Sequence, residues 1–273
     1  EHMSRFWPIT PALILASVIA LLVGCQPLVA TPTISSDPPT PTAEPNTPAP
    51  LSSAALRELV IILTNDEHGY LLPAEDKDFY YGGAAYSAAN WVQKGYDPTE
   101  LGGNVLLLSG GDSWTGPAIS TWVRGESAVE MMNLMGYRAS AIGNHEFDFG
   151  QGVIRQRAAQ SNFPFLAANL YRQGTQEPPD YAEPYAIVEI QGLRIGIIGL
   201  ALRETPTVVA ATNLQGLTFG DYEQALRRWV PVVEQKGAQV VIVLSHICPD
   251  DLLVLASEVQ DLGISLFTGG HCH

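Results

Sequence analysis

The sequence predicts an α/β fold in which buried strands alternate with helices. Three runs of apolar residues support the prediction: LVIIL at residues 59–63, NVLLL at 104–108, in which only Asn104 is polar, and VVIVL at 240–244. Such runs are typical of strands that are buried on both faces. Five of the six histidines come shortly after an apolar run. We therefore expect a helix-flanked sheet whose strand ends carry the chemistry.

Residues 1–25 have the features of a lipoprotein-type signal peptide. Arg5 precedes an apolar segment, residues 12–23, which is too short to span a bilayer comfortably and is typical of a signal peptide. A small residue before Cys25 resembles a bacterial lipobox, and by that resemblance Cys25 is lipidated and begins the mature protein. The alternative is an ordinary secretory signal that is cut near Ala30.

Residues 26–55 are rich in proline and threonine, and we interpret them as a disordered tether. The folded domain is expected over residues 56–273. These segments predict an exported protein, at the cell surface or in the periplasm, that contacts the membrane only through an N-terminal lipid anchor. The net charge of −14 argues against nucleic acid as a partner. It does not exclude a phosphate substrate, because bound cations can reverse the local field.

The first predicted strand, residues 59–63, is followed by Asp66 and His68. Two residues apart on extended backbone, both side chains would point to the same side and could bind one cation. A helix is predicted over residues 82–95. The strand at 104–108 then leads to Gly110, Gly111 and Asp112, where the two glycines allow close approach of the backbone. A turn or helix-capping role is the alternative for Asp112.

A second polar cluster, AIGNHEFDFG at residues 141–150, follows a predicted helix at 126–135 and a short apolar run at 139–142. Asn144 and His145 can give one metal ligand and one proton donor side by side. Asp148 can reach back and orient the histidine. Glu146 is given no role beyond a solvated carboxylate or one that supports a ligand. A polar loop that happens to contain a histidine is the alternative for this segment.

Further elements complete the pattern toward the C-terminal end. A strand is expected at 165–168, a hairpin at 185–190 and 193–200, a helix at 221–236 in which Pro231 causes a kink or an early break, and a helix at 252–259. The strand at 240–244 leads to His246, and a strand at 264–267 leads to His271 and His273, again on extended backbone. Cys248 and Cys272 leave three possibilities open: a disulfide, two free thiols, or thiolate ligation.

Five strand ends therefore carry the candidate residues. In sheets flanked by helices, ligands gather outside the carboxyl ends of the strands. The inventory of imidazoles, carboxylates and an amide fits two divalent cations that share one carboxylate. Mixed nitrogen and oxygen sites accept Mn, Zn, Fe or Co, so the identity of the metal stays open.

The motifs TNDEHG, LLLSGGDSWTGP, AIGNHEFDFG, AANL, RIGIIGLA, VIVLSH and GGHCH resemble those of the calcineurin-like metallophosphoesterases. Within that superfamily they are similar to the exported group of 5′-nucleotidases, UDP-sugar hydrolases and 2′,3′-cyclic phosphodiesterases. The resemblance covers residues 59–273. It implies a four-layered α/β/β/α domain with two metals at the rim of the sheets. It also implies further strands and a nucleoside-binding domain beyond His273, so a C-terminally truncated domain is expected.

The resemblance also implies roles for individual residues. The first metal would be held by Asp66, His68 and His273, the second by Asn144, His246 and His271, and Asp112 would bridge them. His145 would be the catalytic histidine that does not bind metal, with Asp148 as its partner. Nucleotidases of this group often have Gln at the position of His273, so the histidine departs from their pattern.

The expected function is metal-dependent hydrolysis of phosphate esters outside the cytoplasm, with a small phosphorylated substrate, a nucleotide, as the partner. Two alternatives stay open. One is a truncated, non-catalytic metal-binding surface protein, and the other is a sulfur-ester hydrolase of the thiosulfohydrolase kind.

Overall fold

The computed structural model describes residues 56–273, so the predicted signal peptide, the tether and the lipidation site at Cys25 lie outside the described residues. The strands are β1 (Val60–Thr64), β2 (Ala74–Asp76), β3 (Phe79–Tyr81), β4 (Val105–Ser109), β5 (Ala139–Ala141), β6 (Phe165–Leu166), β7 (Leu170–Arg172), β8 (Tyr185–Ile190), β9 (Leu193–Leu200), β10 (Leu217–Phe219), β11 (Val240–Ser245) and β12 (Leu266–Thr268). The α-helices are α1 (Ala84–Gln93), α2 (Ala118–Thr121), α3 (Glu126–Met135), α4 (Gln151–Gln160), α5 (Thr205–Val208), α6 (Tyr222–Gln235) and α7 (Pro249–Glu258). Within residues 56–273, no helix combines the length and the apolar character needed to cross a membrane.

Two four-stranded sheets form the centre of the described domain. The first has the order β1-β4-β5-β6, and all its strands are parallel. The second has the order β12-β11-β9-β8, in which only β8 runs antiparallel to its neighbour. Gln191 and Gly192 connect β8 to β9, and both have positive φ, as the commonest two-residue hairpin turn requires. The predicted hairpin is confirmed.

Three apolar clusters stack the sheets and helices into four layers. In β4, Leu106 belongs to the cluster between the two sheets, together with Ile197 of β9. Its neighbour Leu107 belongs to the cluster under the helices of the first sheet, together with Val129 of α3. A third cluster joins the second sheet to α6 and α7 and includes Val233. Successive side chains of β4 point to opposite faces of the sheet, so both faces are buried. The predicted α/β/β/α architecture is confirmed.

Three predicted details are wrong. The strand β1 is only partly buried, because it lies at the edge of its sheet and not within it. The predicted early break at Pro231 does not occur, because α6 packs on the second sheet and continues to Gln235 despite a proline cost of about 3 kcal/mol; the alternative of a kink stays a prediction. The helix α7 begins at Pro249, three residues earlier than predicted, because proline suits the first turn of a helix.

The parallel strands bring their carboxyl ends to one edge of the domain. The strand-end loops of β1, β4, β11 and β12 meet at Gly110, where an added Cβ would lie 2.9 Å from Cβ of Asn65 and 3.0 Å from the carbonyl oxygen of Gly269. Glycine is therefore required at this position by close approach of the backbone.

Candidate metal centre

A first cluster of candidate ligands contains Asp66, His68 and His273, whose ligand atoms all lie within 4.8 Å of one another. Nε2 of His68 is 3.2 Å from Nε2 of His273, and the two rings are stacked. Each of these nitrogens lies 4.0 Å from Oδ1 of Asp66. Two imidazole nitrogens and one carboxylate oxygen therefore converge at the end of β1.

A second cluster contains Asp112, His246 and His271. Asp112 and His246 are buried, and Nε2 of His246 lies 2.9 Å from Oδ2 of Asp112. The rings of His246 and His271 are 5.2 Å apart. Oδ1 of Asp66 is 3.9 Å from Nε2 of His246, so the two clusters adjoin each other.

Asp112 and His246 also perturb each other electrostatically. Burial raises the pKa of Asp112, but the contacts with His246 and with His145 lower the pKa overall. Burial lowers the pKa of His246, and the contact with Asp112 raises it overall. The carboxylate of Asp112 therefore favours a positive charge at Nε2 of His246. Either a proton on the imidazole or a bound divalent cation can supply that charge.

Two of the candidate histidines are held by backbone carbonyls. Nδ1 of His68 lies 2.9 Å from the carbonyl oxygen of Thr115, and Nδ1 of His246 lies 2.8 Å from that of Gly110. Because a carbonyl oxygen only accepts, Nδ1 carries the proton in both rings. When the ring is neutral, Nε2 then carries the lone pair, which is the usual state of a histidine that binds a metal.

Two buried oxygen atoms at this edge lack a hydrogen-bond partner: Oδ1 of Asp66 and Oδ1 of Asn144. Each such atom costs about 1–3 kcal/mol if it stays unpaired. Bound cations would remove this cost, and the mixed nitrogen and oxygen donors suit Mn, Zn, Fe or Co. The residues therefore fit divalent cations, as the sequence predicted.

The backbone of the site differs from the extended conformation that the D-x-H and H-x-H spacings suggested. Five candidate ligands have left-handed backbone, with φ of 55° at Asp66, 46° at His68, 58° at Asp112, 75° at His271 and 44° at His273. This conformation costs roughly 1–2 kcal/mol per residue. The candidate ligands are therefore brought together by contacts between the loops. The alternation of side chains along an extended strand does not place them.

His145 and Asp148 form a pair beside the two clusters. Nδ1 of His145 lies 2.7 Å from Oδ2 of Asp148, and the backbone N–H of His145 donates to Oδ1 of Asp112 at 2.7 Å. The bond to Asp148 is the main cause that raises the pKa of His145 to about 9. The ligand atoms of His145 also lie within 4.8 Å of those of His68 and Asp112. Nε2 of His145 can therefore act as a proton donor or as a ligand.

Glu146 is a buried carboxylate at the centre of the site, to which the sequence assigned no specific role. It is fully buried, and its carboxylate accepts the backbone N–H of Gly143 at 2.6 Å, of Ser113 at 2.8 Å and of Asp112 at 2.9 Å. Burial first, and then the charge of Asp112, raise its pKa to about 7. The prediction of a solvated carboxylate was wrong, and the alternative of a supporting role fits. The glycine-rich loops were the available signal, because their N–H groups need acceptors.

The two cysteines of the domain are joined. Cys248 and Cys272 form a disulfide with a Cα–Cα distance of 5.3 Å, which is normal for such a bond. Of the three possibilities that the sequence left open, the structure therefore has the disulfide.

The known proteins that are similar to this chain include UshA proteins and 5′-nucleotidases. UshA of Salmonella pullorum is 40% identical over 230 residues, which are 78% of this chain and 40% of the relative. The 5′-nucleotidase of Diplobatis ommata is 30% identical over 226 residues, which are 81% of this chain and 38% of the relative. The crystal structure of a 5′-nucleotidase precursor from Thermus thermophilus has a TM-score of 0.64 at 29% identity and covers 78% of this chain and 41% of its own.

No protein-family model matches the chain. The chain spans about 40% of the length of the curated relatives that it matches.

Proposed function

Because the chain belongs to the calcineurin-like metallophosphoesterases of the 5′-nucleotidase and UshA group, we propose that it hydrolyses phosphate esters of nucleotides with two divalent cations. The proposal rests above all on one observation. Two buried oxygen atoms without hydrogen-bond partners, Oδ1 of Asp66 and Oδ1 of Asn144, lie at strand ends, and Asn144 directly precedes the His145–Asp148 pair.

The candidate ligands divide into two sets that share one carboxylate. Asp66, His68 and His273 would hold one cation, and Asn144, His246 and His271 would hold the other. Asp112 would serve both, since its carboxylate lies within 4.8 Å of the ligand atoms of His68 in the first set and of His246 and His271 in the second. When bound, such cations supply Lewis-acid stabilisation of phosphoryl charge and lower the pKa of a coordinated water.

His145 and Asp148 would act on the leaving group. The ring is half-exposed, and Asp148 fixes Nδ1 as the protonated nitrogen, which turns Nε2 away from the carboxylate. A raised pKa keeps the imidazole protonated near neutral pH. His145 can then donate a proton from Nε2 to the leaving oxygen, and Asp148 stabilises the positive charge before transfer.

A substrate panel tests the proposed function. We expect the chain, supplied with Mn²⁺, Zn²⁺ or Co²⁺, to release phosphate from 5′-AMP and to hydrolyse bis-p-nitrophenyl phosphate. Assays with 2′,3′-cyclic AMP, UDP-glucose and a thiosulfate ester then test for cyclic phosphodiesterase, UDP-sugar hydrolase and thiosulfohydrolase activity, respectively. Two bound cations with no turnover on any ester would instead support the non-catalytic metal-binding alternative.

Replacing His145 by Ala should lower kcat about 10²- to 10⁴-fold, because a positioned proton donor is lost. The chain should still bind two cations, which metal analysis after gel filtration measures. Asp148→Asn is the matched control, since it keeps the imidazole but loses its charged partner, and its loss of kcat should be smaller. If His145→Ala loses a cation, His145 is a ligand and the proton donor lies elsewhere.

We also propose export and a lipid anchor at Cys25. The disulfide between Cys248 and Cys272 supports an oxidising compartment. Replacing Cys25 by Ser should move the protein from the membrane fraction to the soluble exported fraction. Equal membrane recovery of both forms would rule out the anchor.

A further inference from the structure

We propose that the disulfide between Cys248 and Cys272 positions the candidate metal centre, because it fixes the loop that supplies a histidine to each cluster. The inference rests on the proposed metal centre. It assigns Cys248 and Cys272 as positioning residues and gives them no contact with substrate.

The disulfide joins two strand-end loops that both carry candidate ligands. Cys248 follows His246 by two residues and immediately precedes α7. Cys272 lies between His271 and His273. The bond therefore connects the loop after β11 to the loop after β12 at the point where the ligands diverge.

The loop after β12 sends its two histidines to different clusters. The ring of His271 packs against His246 in the second cluster, whereas the ring of His273 stacks on His68 in the first. Both histidines have left-handed backbone. Such a conformation persists only where the surrounding structure holds it.

Few other contacts hold this loop in place. The N–H of Gly270 donates to the carbonyl oxygen of Ile247 at 3.1 Å, and the N–H of His271 donates to Oδ2 of Asp66 at 2.9 Å. Within residues 56–273, the backbone N–H of Cys272 makes no hydrogen bond. The ring of His273 stacks on His68, which links it to the loop after β1. The disulfide at the adjacent Cys272 is the covalent anchor of this loop.

The test measures cation affinity without substrate. The chelator-stripped wild-type chain and the double variant Cys248→Ser/Cys272→Ser are titrated with Mn²⁺ and Zn²⁺ by calorimetry. We expect about 10- to 100-fold weaker binding in the variant, the usual effect of removing a group that orients metal ligands. The absorption spectrum of bound Co²⁺ should also change, because it reports the coordination of the ion.

A control separates positioning from a general loss of stability. Val233→Ala removes buried volume from the cluster between α6 and the second sheet, at a position that lies against Gly196 in the middle of β9. It should lower Tm and leave cation affinity unchanged. If the double variant does not fold, the wild-type chain reduced with a phosphine and alkylated under native conditions replaces it, with circular dichroism to verify the fold.

Equal affinity and an unchanged Co²⁺ spectrum in a folded chain without the disulfide would overturn the inference, whatever the chain hydrolyses. A wild-type chain that binds two cations but hydrolyses no ester would refute the proposed function and leave this inference standing. A wild-type chain that binds no cation would refute both.

Discussion

Replacing Asp112 by Asn should yield a folded chain that loses both cations together and hydrolyses phosphate esters at close to the background rate. Asp112 is 1% exposed, and its two oxygens face different partners. Oδ1 accepts the N–H of His145, and Oδ2 lies 2.9 Å from Nε2 of His246. The amide can retain the first contact, but it places an NH₂ group where a ligand is required and removes the charge.

The loss of activity should be large because Asp112 would be a ligand of both cations. Two cations supply several kcal/mol of transition-state stabilisation, and each 1.36 kcal/mol is a factor of ten in rate. We therefore expect kcat/KM to fall by about 10³-fold or more, and metal analysis to find fewer than one cation per chain. Asp148→Asn is the matched control, because it also neutralises a carboxylate beside His145 but should retain both cations. Two cations retained in Asp112→Asn would show that the carboxylate is not shared.

The sequence predicted the layers of the fold because each strand has a simple environment. Leu106, Leu107 and Leu108 are all buried, alternately toward the second sheet and toward the helices, so the run is continuously apolar. The hairpin was predictable because Gln191-Gly192 can take the positive φ that the turn needs. Both features follow from the residues of the segment itself, so they can be predicted without knowing the contacts with distant parts of the chain.

The backbone of the candidate site was not predictable in the same way. Spacing alone suggested that Asp66 and His68, like His271 and His273, lie on extended backbone. Their left-handed conformation arises from contacts with distant loops, such as the bond from the N–H of His271 to Asp66. Likewise, two cysteines in a sequence do not reveal whether they pair, and the partner of Cys272 became known only when the loops were placed.

Glu146 shows most clearly where spacing fails, and its replacement by Gln should weaken both cation sites. Its partners Asp112 and Ser113 lie more than 30 residues earlier in the sequence. Oε2 accepts the N–H of Asp112 and of Gly143, and Oε1 accepts that of Ser113. An amide must place NH₂ in one of these positions, where two donors would face each other. At least one buried N–H then loses its acceptor, at a cost of about 1–3 kcal/mol.

This cost should appear in two measurements. A loss of about 1–3 kcal/mol lowers Tm by roughly 2–4 °C for each kcal/mol in a domain of this size. Cation affinity, measured well below Tm, should fall about tenfold or more, because Glu146 ties the loop of Asp112 to the loop of Asn144. Glu146→Asp keeps the charge on a shorter side chain and should recover part of the affinity.

Glu67→Gln provides the matched control, because it too replaces a carboxylate that adjoins a candidate ligand. Oε1 of Glu67 accepts only the hydroxyl of Tyr137, and Oε2 is buried without a partner. An amide is tolerated better there than at Glu146, because three backbone N–H groups depend on the carboxylate of Glu146 as their acceptor. Glu67→Gln should keep Tm and cation affinity close to wild type. If both variants lose affinity equally, nearby negative charge governs the centre, and the three backbone hydrogen bonds of Glu146 do not.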